Sequence, residues 1–112
     1  MGTDILKRWC GLIDLITTHC GVCSNGDSKG AFLSLITSDG VQFRIQRLTV
    51  RRGFKTSMKV ELINPPVGFP LVKGQSSFSA PDLLNVDPLW VTEKISCIIS
   101  SVRRFRQQRG LT

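Results

Sequence analysis

Tyrosine is absent from this chain, histidine occurs once, and acidic residues number only eight. Each scarcity removes a class of function. His19 is the sole imidazole that could serve as base to a Ser or Cys, it sits near the end of a predicted helix, and no carboxylate lies close in sequence to orient it, so a Ser–His or Cys–His relay lacks an evident orienting group. The acids fall mostly at caps and turns, which leaves no pair for general acid–base work. Neither a Walker loop nor a GxGxxG segment is present to cradle a nucleotide. No catalytic residue and no cofactor is therefore assigned, and the chain reads as a non-enzyme. Without tyrosine, and with most Phe and Trp at positions that read as core, sequence-specific base stacking is not expected either.

Long apolar runs are also missing. Nothing approaches the roughly 20 residues of a membrane span. The first twenty residues are interrupted by Lys7, Arg8 and Asp14 with no small-residue cleavage site after them, so no secretory signal is expected. Leu6 stands where N-myristoylation wants Ser or Thr. These absences predict an intracellular protein of cytoplasm or nucleus, with its four cysteines reduced.

What the chain does have is positive charge on ordered sequence. Lysine and arginine total 15, the net charge is +7 and the pI is near 9.8. Between Val41 and Val60 lie Arg44, Arg47, Arg51, Arg52, Lys55 and Lys59 with no Asp or Glu among them. Arg103, Arg104, Arg106 and Arg109 close the chain. One-signed charge on regular structure is the footprint of a protein that meets an anionic partner: nucleic acid, an acidic protein or an anionic membrane surface. All ten cations are candidate nucleic-acid contacts, RNA more than DNA, made to the phosphate backbone with little sequence preference. Homo- or hetero-oligomerisation stays open.

The 112 residues, 41% hydrophobic and 21% charged, suit a single α+β domain over 1–112. Ile5, Leu6, Trp9, Leu12, Ile13 and Ile16 make one apolar stripe, predicting a helix over about 4–20 capped by Thr3 or Asp4. Ser24 to Gly30 reads as a polar turn or loop. Strands are expected over about 31–37, 41–52 and 57–63, the first apolar on both faces and so covered on both, with Ser38-Asp39-Gly40 as a hairpin turn and Gly53 as a second turn. Ile45 and Leu48 differ in parity, which predicts a β-bulge near Gln46–Arg47 that would bring Arg44, Arg47 and Arg51 to one side. A Pro-rich segment over 64–81 holds at most a short edge strand. Asp87 as N-cap, Pro88 at the first position and Gly110 as C-cap frame a helix over about 88–109. The expected architecture is helix, antiparallel meander of three to four strands, helix, with both helices on one sheet face.

Two further sets are candidates. Cys10, His19, Cys20 and Cys23 hold zinc-binding atoms, with Cys20 and Cys23 at knuckle spacing, but a lone CxxC lacks a second ligand pair, and Cys10 and Cys20 fit as small apolar residues near the core. No metal is assigned. Val67, Phe69, Leu71 and Val72, around the prolines, read as exposed apolar groups and so as an alternative protein-docking anchor.

Asp39-Gly40-Val41-Gln42-Phe43-Arg44-Ile45, Val60-Glu61-Leu62-Ile63 and Gly68-Phe69-Pro70, followed by the 88–109 helix, resemble an RWD domain, the non-catalytic relative of ubiquitin-conjugating enzymes. Phe69-Pro70 stands where that family has Tyr-Pro, and Gly74 where a second proline is expected. No cysteine lies between Pro70 and Trp90, where a conjugating enzyme would carry its nucleophile, so the resemblance implies a protein–protein adaptor. The N-terminal third, through Leu12, Leu15, Cys20 and Gly30-Ala31-Phe32-Leu33-Ser34-Leu35 leading to Asp39-Gly40, resembles the Alu-RNA-binding subunits of the signal recognition particle. That likeness implies a sheet and basic loops that bind RNA.

Overall fold

Apolar stripes at helical spacing bound the chain at both ends, and the computed structural model, which describes residues 2–26, 32–50 and 55–108, folds both onto one sheet face. Helix α1 spans Gly2–Cys20 and buries Trp9, Leu12, Ile13 and Ile16, a three-one-three spacing that keeps one face inward. The helix already includes Thr3 and Asp4, so they lie in its first turn and do not precede it as caps. Gly21, at φ 63°, ends it in the left-handed region that a glycine enters without strain.

Five antiparallel strands follow: β1 Val22–Asn25, β2 Phe32–Thr37, β3 Gln42–Val50, β4 Lys55–Leu62 and β5 Ser77–Ala80. They pair in sequence order as a meander. This is an α+β fold of the expected order, with five strands where three to four were expected. The missed strand is β1. Val22 to Asn25 pairs with Thr37 to Ser34, so Ser24 and Asn25 are strand where a loop was expected. Four residues with one buried side chain carry almost no periodicity, and only the partner strand makes them extended.

The register of β3 on β4 is unbroken from Phe43↔Leu62 to Val50↔Lys55. There is no bulge at Gln46–Arg47. The parity conflict resolves differently: Leu48 faces out and is 45% exposed, while Ile45 and Phe43 face in. Strand β2 is likewise covered on one side only, with Leu33 and Leu35 buried and Phe32 61% exposed.

One hydrophobic cluster joins the inner sheet face (Leu33, Leu35, Phe43, Ile45, Met58, Val60, Phe78) to both helices. Helix α2, Pro88–Gln108, contributes Val91, Ile95, Ile98, Ile99 and Val102. Asp87 Oδ1 accepts from the Leu89 amide at 3.0 Å and satisfies one free donor of the first turn. The 81–87 connection is held from α1, where Arg8 donates to the carbonyls of Leu83 at 3.3 Å and Val86 at 2.6 Å. After β4, Asn64 replaces ladder bonds before Pro65-Pro66, accepting from Gln42 N at 2.9 Å and donating to Gly40 O at 2.8 Å. The Gly53 turn and the Gly110 cap lie outside the described residues.

Candidate nucleic-acid interface

Strand parity decides which side chains reach the face that the helices leave open. On β2 that is Phe32, Ser34 and Ile36; on β3 Gln42, Arg44, Gln46 and Leu48; on β4 Ser57, Lys59 and Glu61. All of these are exposed or half-buried. The registers align them in rows across the sheet. One row reads Asn25, Ser34, Arg44, Glu61, Ser77, and the next Phe32, Gln46, Lys59, Ser79. Lys59 Nζ stands 4.0 Å from Glu61 Oε2, and both side chains are well exposed. Arg44, opposite Glu61, makes no ion pair or hydrogen bond with the described residues.

The other cations are placed elsewhere. Arg47 shares the parity of Phe43 and Ile45, and its guanidinium carbon lies 5.4 Å from the Trp9 ring centroid on the helix-covered side. Cation–π contact with a buried indole is a packing role. Arg103 forms a two-point pair with Asp39, Nε to Oδ2 at 2.9 Å and Nη2 to Oδ1 at 3.1 Å. Arg106 donates to the Asp39 carbonyl at 3.0 Å. Two of the C-terminal arginines are thus spent in clasping the end of α2 to the β2–β3 turn. The Arg103 guanidinium, with help from the Thr37 hydroxyl, holds the Asp39 carboxyl far below the usual carboxylate range. Arg104 is exposed on α2.

This clasp sits at the start of β3, whereas Val50 is at its far end. Nine residues of strand separate them, roughly 26 Å. Past Gln46 and Met58 the β3–β4 pairing continues to Val50↔Lys55, and the Leu83 amide donates to the Thr56 carbonyl at 2.7 Å. Of the ten sequence-derived cations, the structure brings Arg44 and Lys59 together on the open face and removes Arg47, Arg103 and Arg106 from it. Arg51, Arg52, the Lys55 side chain and Arg109 lie outside the described residues.

Phe32 and Gln46 are the residues that sequence reasoning missed here. The signal was Ser34: a serine in the middle of Phe32-Leu33-Ser34-Leu35-Ile36 marks the wet face, and Phe32 and Ile36 share its parity.

The docking set is altered too. Val67, Leu71 and Val72 are 93%, 70% and 51% exposed, but Phe69 is buried at 7% and packs edge-on against Phe105, with centroids 5.5 Å apart at 83°. Phe69 belongs to the core, because a large ring beside α2 buries more apolar area inward than it could on the surface. A groove of about 480 Å³ runs between α2 and residues 69–75, lined by Pro70, Gln75, Trp90, Lys94 and Cys97 among others. His19, Glu93 and Cys97 line a second, shallower depression, but no hydrogen bond joins them.

The zinc candidates do not converge. Cys20 Sγ lies 3.3 Å from Ser96 Oγ in the α1–α2 contact, Cys10 packs against the core, and Cys23 is exposed on β1. Among the described residues no three of His, Cys, Asp and Glu assemble as a ligand set. No described helix is long and apolar enough to cross a membrane. Compared with family models, curated proteins and solved structures, the chain matches none.

Proposed function

We propose that this protein is a non-catalytic module that binds nucleic acid, RNA in preference to DNA, on the open face of its sheet. The observation that carries the reading is the division of the sheet: both helices cover one face, and the other presents Arg44 and Lys59 to solvent. On a chain of net charge +7, exposed cations on a rigid strand pair are suited to phosphate contacts. Glu61 is the acid of that patch, and Lys59 lies beside it, which blunts its repulsion of an anion. The reading places the protein in cytoplasm or nucleus, where RNA is available and thiols stay reduced.

The test is fluorescence anisotropy of labelled RNA across a salt series, comparing wild type with the Arg44→Gln/Lys59→Gln variant. For a single strand, each phosphate left without its cation lowers the log–log salt slope by about 0.7, so the double variant lowers it by about 1.4. Both side chains are exposed, so the fold survives, and circular dichroism checks that. An unchanged affinity and slope would refute the reading.

A second reading, an RWD-like protein–protein adaptor, draws support from Val67, Leu71 and Val72, which expose apolar side chains within six residues of one another. Leu71→Ser/Val72→Ser separates the two, because RNA affinity does not change if the sheet face is the binding surface.

A further inference from the structure

Among the exposed features, the open sheet face combines an aromatic ring, an amide and two cations within two adjacent rows, with Lys59 Nζ 4.0 Å from Glu61 Oε2. Phe32 is 61% exposed and makes no aromatic contact with the described residues. Gln46, directly opposite it on β3, makes no side-chain hydrogen bond with the described residues. Arg44 lies diagonally from Phe32, one row along, and Lys59 flanks Gln46 on β4. Directly opposite side chains stand about 5 Å apart and diagonal ones about 7–8 Å, so one ligand can touch all four.

We infer that this face takes a single-stranded RNA segment, one of whose bases stacks on Phe32. The inference deepens the nucleic-acid reading above and rests on it. Stripped of water, an exposed phenyl ring offers a π-face to any base, which a phosphate-only surface does not need. The Gln46 amide carries both a donor and an acceptor at the edge of that ring, suited to a base edge lying on it. Arg44 and Lys59 then hold the flanking phosphates, which is the charge complementarity that selects an anionic chain over an apolar protein face.

Stacking on Phe32 selects the single strand. In a duplex the bases are already stacked on each other and cannot reach the ring.

The experiment uses the full chain and fluorescein-labelled 12-nucleotide RNA of mixed sequence, single-stranded or annealed to its complement, across a salt series. Wild type is expected to bind the single strand more tightly than the duplex. Phe32→Ala should weaken single-strand binding by roughly 5- to 150-fold while leaving the salt slope and duplex affinity unchanged. Phe32→Trp, which keeps a stacking face, should restore affinity and show quenching of the new indole on binding. If Phe32→Ala binds like wild type while Arg44→Gln/Lys59→Gln weakens both ligands, stacking is overturned and the phosphate reading survives. Binding to neither ligand at low salt overturns both, and a preference for duplex overturns the single-strand assignment. Because Phe32 lies outside the core, a matching thermal melt shows that weakened binding is not a weakened fold.

Discussion

Replacing Phe69 with alanine tests whether the proline-bearing segment is scaffold or docking surface. The side chain is 7% exposed, and its ring meets Phe105 edge-on at 5.5 Å. Truncating a buried phenylalanine typically costs 3–5 kcal/mol, and about 1 kcal/mol of that is the ring–ring geometry. Phe69 lies at the rim, beside a groove into which neighbours can relax, so the lower end applies, about 3 kcal/mol. A domain of this size has a total stability of about 6–17 kcal/mol, so the variant folds but is conspicuously weakened. At roughly 4 °C per kcal/mol the melting temperature falls by about 12 °C. Urea unfolding followed by circular dichroism measures the loss directly, with Val67→Ala as control. Val67 is 93% exposed, and its truncation should stay within about 0.5 kcal/mol of wild type. A Phe105→Leu background should absorb part of the Phe69→Ala cost, because the two rings share one contact. A Phe69→Ala cost below about 1 kcal/mol, or one no larger than that of Val67→Ala, would refute the burial argument and return Phe69 to the surface.

Two further outcomes are expected. Asp39, bonded to Arg103 and to the Thr37 hydroxyl, has a depressed carboxyl pKa, so its contribution is complete above the unfolded value of about 3.9 and is lost as pH falls below it. Asp39→Asn should therefore cost about 1 kcal/mol at neutral pH, a small figure because the pair is water-screened, and the gap to wild type should close on acidification; urea midpoints at pH 7 and pH 3 read this, and a gap that widens in acid would contradict it. Arg47→Met, which removes the cation over Trp9, should lower stability by about 1 kcal/mol and leave RNA affinity within twofold; a collapse in affinity at unchanged stability would show that Arg47 reaches the ligand.

Much of the architecture was legible because its signals are local. The 3.6-residue stripes of both helices, Asp87-Pro88 at the head of α2 and Asp39-Gly40 between β2 and β3 each act through neighbours a few residues away. The candidate site was legible only in part. Arg44 and Lys59 were in the sequence-derived set, but so was Arg47, and Phe32 was passed over as core.

By itself the sequence determined both helices, the central strands β2 to β4, their order and the sign of the charge they carry. The tertiary structure decided which strand face is dry. A side-chain period of two separates a strand into two faces but does not say which one a helix will cover, so Leu48 and Phe32 read as inward until the register placed them outside. It also decided which cations are free. Arg103 and Asp39 are 64 residues apart, and Arg47 meets Trp9 from another element, so no local pattern could reveal that these charges are committed within the fold. Strand β1 is the same case in backbone form: its four residues become extended only because β2 supplies the hydrogen bonds.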